Sequence, residues 1–207
     1  MKNIKTLGLL AVMAMALVAF VGTTSASAAT SFTASATGKK LVETTIEKHV
    51  FTTTGSKVEC GNITYTGVTE GTASGGLGFT STKQTVTPDY KECTAFGFSA
   101  TVTNNGCDYT LTPSGQVHIE PANCTLTISV SNFFATCHVE VTGGQTVGGV
   151  SYANGANDDI VVTINSAGIK SHVTKSSGLC PLTVGTHEST YTGKSTVQAE
   201  GAKIAVD

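Results

Sequence analysis

The sequence contains no arginine and no tryptophan, and charged residues make up only 13% of its 207 positions. All twelve basic residues are lysines. Nucleic-acid binding depends on clustered lysine and arginine for phosphate contacts, and on bidentate side chains for reading bases. The sparse positive charge therefore argues against nucleic acid as a partner. Without tryptophan, the aromatic platform of a sugar-binding site would have to come from tyrosine and phenylalanine.

The sequence also lacks an apolar run long enough to span a membrane, which takes about 20 residues. Its longest run, residues 7–21, follows Lys2 and Lys5 and precedes the small residues of Ser25-Ala26-Ser27-Ala28. This order is typical of an export signal with a signal-peptidase site. We predict a bacterial signal peptide over residues 1–28 and a secreted domain over 29–207. That domain would be extracellular, either free or associated with the cell envelope, with no membrane anchor after cleavage.

No two cysteines form a Cys-x-x-Cys pair, which weakens a zinc or thioredoxin-like interpretation. All six cysteines follow the predicted signal peptide, and an even number in an oxidising compartment predicts three disulfides. Fifteen connectivities are possible. We favour the pairing in which two bridges join neighbouring hairpins and the third connects the late strands to an earlier part of the chain. It consists of Cys60 with Cys93, Cys107 with Cys124, and Cys137 with Cys180.

No stretch after residue 28 carries a convincing apolar stripe at helical spacing. Polar and apolar residues instead alternate, as at residues 63–66, 100–103 and 125–128, and turn residues separate these stretches. Val42, Ile46 and Val50 also fall at even spacing, and the 36 threonines suit the solvent face of strands. We predict an all-β fold, an antiparallel β-sandwich of Greek-key or jelly-roll type.

Three details of this fold can be predicted from local patterns. Residues 160–164 are a continuous apolar run, which suggests a strand covered on both sides. Residues 169–174 would then return as a hairpin arm. The glycine-rich residues 69–78 are the best candidate for a boundary between two domains, although a long loop fits them better.

Some of the turns and cysteines resemble those of a known group of proteins. The segments are Cys93-Thr94-Ala95-Phe96-Gly97, Asn105-Gly106-Cys107-Asp108-Tyr109 and Tyr191-Thr192-Gly193. They resemble exported, cysteine-containing, β-rich proteins of actinobacterial type, and the resemblance covers most of the chain after residue 28. It implies secretion and a disulfide-bearing β fold, and it implies neither an activity nor site residues.

Two groups of residues are weak candidates for metal ligands. His118 and Glu120 share one strand face, as do His138 and Glu140, so adjacent strands would bring four zinc or copper ligands together. A purely surface arrangement, with each pair projecting from the solvent face of its strand, is the simpler interpretation. Residues 154–159 are rich in oxygen and could wrap calcium through Asn154, Asp158 and Asp159, but they lack the usual calcium-loop spacing and read better as a hairpin turn. We therefore assign no metal site and expect no cofactor.

No sequence motif for nucleophilic catalysis is present, and His49, His172 and His187 are scattered along the chain. The leading hypothesis is a non-catalytic secreted protein that binds an extracellular or envelope partner, such as a polysaccharide or another protein. The alternative is a secreted hydrolase whose site assembles from scattered His, Glu and Asp residues. A concave pocket with convergent titratable side chains of shifted pKa would favour the hydrolase.

Overall fold

The computed structural model describes residues 29–74 and 78–207, and within them the chain forms sixteen β-strands and no helix. In chain order the strands are β1 Phe32–Ala34, β2 Leu41–Thr53, β3 Ser56–Gly67, β4 Thr72–Ala73, β5 Phe79–Ser81, β6 Gln84–Ala95, β7 Phe98–Asn105, β8 Asp108–Leu111, β9 Val117–Glu120, β10 Thr125–Ser131, β11 Ala135–Thr142, β12 Gln145–Val147, β13 Val150–Asn154, β14 Ile160–Gly178, β15 Gly185–Ala199 and β16 Ile204–Val206. The predicted signal peptide, residues 1–28, lies outside the described residues. No helix in the described ranges is long and apolar enough to cross a membrane.

Eight of these strands form a closed antiparallel barrel. Their order is β2, β3, β6, β7, β10, β11, β14 and β15, and β15 pairs again with β2. The all-β prediction is confirmed. The predicted sandwich is wrong in its arrangement, because a sandwich consists of two sheets with free edges, whereas the pairing of β6 with both β3 and β7 closes this sheet on itself.

Strand β14 corrects two of the local predictions. It is one continuous strand of 19 residues, so residues 169–174 continue it and do not form a returning hairpin arm. Ile160, Val162 and Ile164 are buried, but Val161 is half-buried and Thr163 is exposed. The apolar run at residues 160–164 therefore covers the core with one face only. A register shift between Ser166 and Ile169 lets the strand bend and continue.

Strand β2 turns an unexpected face toward the core. Val42 and Ile46, whose spacing indicated the strand, are 37% and 50% exposed. The inward face carries Leu41, Glu43 and His49. Two polar side chains thus occupy core positions on this strand.

Shorter strands extend one half of the barrel. β8 pairs with the first residues of β6, and β9 and β12 continue that sheet, while β13 pairs with the first residues of β14. A separate four-stranded sheet has the order β16, β1, β5, β4. Of the predicted boundary segment 69–78, residues 72–73 belong to this small sheet, and residues 75–77 lie outside the described residues.

Three disulfides join the strands, and they are the pairs that the sequence analysis favoured. Cys60–Cys93 links β3 to β6 directly across the sheet. Cys107–Cys124 joins the residues that precede β8 and β10. Cys137–Cys180 ties β11 to the connection between β14 and β15. No cysteine is left free.

Candidate functional site

The barrel encloses a cavity with about 150 Å³ available to the centres of water-sized molecules. Side chains from all eight barrel strands line it, and further side chains come from β1, β8, β9, β12, β13 and β16. Most of the lining is aliphatic or aromatic, with Val86, Ile119, Val150 and Val162 as examples. Small-molecule sites are concave and mainly apolar, with a few placed polar groups. The cavity has this character.

Glu43 is the most unusual residue of the lining. Its side chain is 0% exposed. The Ser195 hydroxyl donates a hydrogen bond to Oε1 of Glu43. The second oxygen, Oε2, is buried and has no hydrogen-bond partner among the described residues. Glu70, the other carboxylate of the lining, is half-buried and accepts a hydrogen bond from the Thr85 backbone at 3.1 Å.

His49 extends this polar cluster inside the barrel. Its Nε2 lies 3.0 Å from Oγ of Ser195, and its Nδ1 lies 2.8 Å from the Tyr191 hydroxyl. The distance from His49 Nε2 to Glu43 Oε1 is 3.9 Å. Glu43, Ser195, His49 and Tyr191 thus form a continuous chain of hydrogen bonds within an apolar interior.

Burial shifts the pKa values of the two ionisable groups in opposite directions. Burial raises the pKa of Glu43 from 4.5 to about 7, and the Ser195 hydroxyl and the Tyr65 backbone lower it by smaller amounts. Burial lowers the pKa of His49 from 6.5 to about 4. Both shifts favour the uncharged form, because a charge in a low-dielectric interior loses its hydration. Between about pH 4 and pH 7, Glu43 and His49 are therefore both neutral, and they are linked through the Ser195 hydroxyl rather than by a salt bridge.

Tyrosine side chains supply most of the remaining polar groups. The hydroxyls of Tyr90 and Tyr109 lie 2.8 Å apart, and the rings of Tyr90 and Tyr191 meet edge to face at 6.4 Å. Burial raises the pKa of all three tyrosines above the ordinary value. The Tyr152 hydroxyl is buried and, within the described ranges, has no hydrogen-bond partner. Two residues of the lining, Tyr152 and Glu43, therefore each hold one buried polar atom without a partner among the described residues.

The polar chain differs from a catalytic triad. In a triad the histidine bridges the nucleophile and the carboxylate, and the carboxylate orients the imidazole. Here Glu43 bonds to Ser195, and the far nitrogen of His49 bonds to Tyr191. Ser195 and His49 are each only 1% exposed. Convergent titratable groups are thus present, as the hydrolase hypothesis required, but their order does not activate Ser195 as a nucleophile.

The candidate metal ligands do not come together. His118 contacts Thr146, and Glu120 accepts a hydrogen bond from Thr110. His138 and Glu140 lie on β11, which is not a neighbour of β9. Within residues 29–74 and 78–207, no group of three or more His, Cys, Asp and Glu side chains could hold a metal ion. The four-ligand arrangement is therefore wrong, because the two strands belong to different parts of the sheet.

The candidate calcium residues have other partners. Both the amide nitrogen and the amide oxygen of Asn154 bond to the Val206 backbone, at 3.0 and 2.8 Å. Asp158 forms an ion pair with Lys203 at 2.9 Å. The Asp159 backbone oxygen accepts a bond from Gly155 at 2.8 Å, which closes a turn. These contacts fasten β16 beside the turn and account for the oxygen-rich segment.

The other two candidate histidines lie on the outside. Nδ1 of His172 is 3.2 Å from the Thr186 hydroxyl, and Nε2 of His187 is 2.7 Å from the Thr183 carbonyl. Of the scattered histidines, His49 alone reaches the cavity. No motif in the sequence pointed to Glu43 or Ser195, and Tyr191 was noted only in a segment of the resemblance, without a functional role. The one available signal was the position of Glu43, two residues after Leu41 on the same strand face.

Gly193 makes room for His49. A Cβ at this position would lie 2.4 Å from Nδ1 of the imidazole, which is too close for any side chain. We expect Gly193→Ala to displace His49 and to lower the free energy of unfolding by about 2 kcal/mol, as overpacking of a core does. Denaturant unfolding measures this loss. Gly148→Ala is the matched control, since a Cβ there meets nothing within 4 Å. An equal loss in both variants would contradict the explanation.

Comparison with known protein families, curated proteins and solved structures gives no match for this chain.

Proposed function

We propose that this protein is a secreted, non-catalytic binding protein that holds a small, mainly apolar molecule inside its barrel. The largely apolar cavity inside the barrel carries the proposal. An apolar cavity of about 150 Å³ is large enough to bind benzene. Well-packed interiors contain few voids larger than a water molecule, so a cavity of this size is a feature to explain.

Secretion is part of the same proposal. Its support is the export-signal pattern of residues 1–28, the three disulfides, and the resemblance to exported actinobacterial-type proteins. Disulfides persist in oxidising compartments and are rare in the cytosol. A disulfide-linked barrel would hold the cavity open in the extracellular medium or at the cell envelope.

Toluene is a suitable first probe of the cavity. We expect toluene to bind and to raise the melting temperature, since a ligand that binds only the folded state stabilises it. Val162→Phe should abolish the effect by filling the cavity with its larger ring. Val42→Phe is the matched control, because Val42 is half-exposed on the outer face of β2. Calorimetry with both variants, after circular dichroism shows that they fold, measures the result. Binding that survives Val162→Phe, or is absent from the wild type, would contradict the proposal.

A protein or polysaccharide partner is the second proposal. Phe133 is 94% exposed, and Phe134 and Leu179 beside it are also exposed. The Leu179 backbone nitrogen donates to the Phe134 carbonyl at 2.8 Å, so these residues form one apolar patch at the end of the barrel. Native mass spectrometry of the protein recovered from culture medium separates the two proposals. A bound small molecule supports the first, and a bound macromolecule supports the second.

A further inference from the structure

We propose that one end of the barrel docks onto a lipid bilayer with anionic headgroups, and that the tips of its hairpins enter the headgroup region. This surface lies outside the barrel, so the proposal goes beyond the cavity and does not depend on a ligand there. It assigns the apolar patch of Phe133, Phe134 and Leu179 to a lipid surface. A macromolecular partner at the same patch is the alternative that the experiment tests.

The two ends of the barrel are built differently. Because neighbouring barrel strands are antiparallel, the hairpins β2–β3, β6–β7, β10–β11 and β14–β15 all turn at the same end. The eight short strands lie in the other connections, or before β2 and after β15, toward the opposite end. One end thus consists of four hairpin turns. We call it the hairpin end, and its turns are residues 54–55, 96–97, 132–134 and 179–184.

The hairpin end carries the most exposed large apolar side chains of the described residues. Phe133 is 94% exposed, and Phe134, Leu179 and Val184 are each more than half exposed. Ile46, the next in order, is 50% exposed and lies on β2, eight positions before its turn. Apolar side chains that cluster on a surface mark an interaction site.

Core packing does not require these exposed side chains. Leu182 is buried beside Val130 and fills the interior at this end. The Asn132 side chain holds the neighbouring turn, because its Oδ1 accepts hydrogen bonds from the backbone nitrogens of Phe134 and Ala135 at 2.8 and 2.9 Å. The apolar tips are therefore fixed in position outside a filled core, as an insertion surface requires.

The charge at the hairpin end matches an anionic surface, although the chain as a whole has a formal net charge of −2. The turns and the three residues on either side of each contain Lys57 and His187, but no Asp or Glu. Lys57 is exposed and has no ion-pair partner among the described residues. The next charged residues lie four positions from a turn, and they are Glu59, Glu92, Lys175 and Glu188.

Distance separates these outer charges from the tips. Four strand positions correspond to about 13 Å, which exceeds the Debye length of about 8 Å at physiological ionic strength. Lys57 therefore sets the sign of the charge that a docked surface meets.

The form of the hairpin end favours a bilayer over a protein partner. Stable protein interfaces bury about 800 Å² per partner and involve about 20–30 residues a side. Here the turns are two to six residues long, and the exposed large apolar side chains belong to only two of them. A bilayer has no fixed shape to match, and apolar side chains such as Phe and Leu enter its headgroup region to a depth of about 5–10 Å.

Sedimentation with lipid vesicles tests the inference on the protein recovered from culture medium. We expect it to bind vesicles of phosphatidylcholine that contain about one third phosphatidylglycerol. Phe133→Ser combined with Phe134→Ser should weaken this binding at least about tenfold, because less apolar area enters the bilayer. Val42→Ser combined with Ile46→Ser is the matched control, since both side chains are exposed on β2 away from the hairpin end. This control should bind as the wild type does.

The charge of the lipid provides a second readout. Vesicles of phosphatidylcholine alone should bind about fivefold more weakly, which is the contribution of one lysine near an anionic surface. Lys57→Gln should remove this difference. Lys83→Gln is the matched control and should keep it, because Lys83 is exposed between β5 and β6, toward the opposite end. Equal binding of the wild type to both vesicles would overturn the proposal.

A tryptophan reporter shows which surface meets the lipid. The chain has no tryptophan, so Phe133→Trp places a single one at the tip, and its emission should shift to shorter wavelength on the vesicles. Val42→Trp should show no shift. The reverse pattern would overturn the proposal.

Absence of vesicle binding would overturn the inference, as would binding that survives the change of both Phe133 and Phe134 to serine. Capture of a protein or polysaccharide through these two residues, without vesicle binding, would also overturn it. Toluene binding in the same samples reports on the cavity separately, so the docking surface and the proposed function can each fail alone.

Discussion

The effect of replacing Glu43 with glutamine on stability is expected to be about 3 kcal/mol more favourable at pH 8 than at pH 4. Glutamine retains the size of the side chain and an oxygen that can accept the Ser195 hydrogen bond. It removes the carboxylate, which must be buried without a compensating charge at high pH. Urea unfolding of both proteins across this pH range measures the difference.

The sign follows from where the proton is bound. The pKa of Glu43 is about 7 in the folded state, against an ordinary value of 4.5 in the unfolded chain. Between these values the folded protein keeps a proton that the unfolded chain has lost, so stability falls as the pH rises. Each pKa unit corresponds to 1.36 kcal/mol, and the loss is complete above pH 7. Below pH 4.5 both states are protonated, and removal of the charge gives no advantage.

His49 has the opposite effect on the pH dependence. Its pKa is lowered from 6.5 to about 4 on folding. The folded state therefore resists protonation, and stability falls as the pH drops from 6.5 toward 4. In the wild type, His49 makes the free energy of unfolding rise with pH and Glu43 makes it fall between about pH 4.5 and 6.5, so the two effects oppose each other. Glu43→Gln should leave only the effect of His49, so that the stability of the variant increases with rising pH over this interval.

Glu47→Gln is the control for this experiment. Glu47 is exposed beside Lys194 and should show no comparable gain. If Glu43→Gln stabilises the protein equally at pH 4 and pH 8, the burial of a carboxylate is not the cause. A residue that weakens the fold at neutral pH but fits a binding role is a pattern expected of functional sites.

Alternating polarity was enough to predict strands but not their closure. The pattern at residues 125–128 lies within β10, and Leu126 and Ile128 point inward as alternation requires. The same alternation occurs on the inner face of a sandwich and of a barrel. Closure depends on the pairing of β6 with β7, between residues such as Cys93 and Ala100. Nothing in the local sequence pattern specifies how many strands separate the two ends of the sheet.

The polar cluster could not be predicted from the sequence, for a related reason. On β2 the apolar residues Val42 and Ile46 are outside, and Glu43 and His49 are inside. Because Leu41 is also inside, polarity does not indicate consistently which face of β2 is buried. Ser195 and Glu43 are also 152 positions apart in the chain, and their meeting depends on the pairing of β15 with β2. A site made of contacts between distant strands leaves no motif of fixed spacing.

Reduction of the three disulfides is expected to unfold the protein at room temperature. The bridges separate cysteines by 33, 17 and 43 positions. In the loop-entropy account, bridges of these lengths stabilise by about 3 to 4 kcal/mol each. Their combined contribution is comparable to the entire stability of a typical domain, about 5–15 kcal/mol. Circular dichroism with and without reductant should therefore show the loss of the barrel, and the intact mass should rise by the mass of six hydrogen atoms on reduction.

Variants that lack a single bridge test whether loop entropy sets the contribution of each disulfide to stability. Cys107→Ala with Cys124→Ala opens the shortest loop and should cost the least, about 3 kcal/mol, whereas Cys137→Ala with Cys180→Ala opens the longest and should cost about 4 kcal/mol. Cys107, Cys124 and Cys137 are buried whereas Cys180 is only partly buried, so truncation loses more packing in the first variant, opposite to the order expected from loop entropy. A reversed order would show that native-state packing, not restriction of the unfolded chain, sets the contribution of each bridge. Toluene binding by each folded variant then reports whether that bridge also keeps the cavity open.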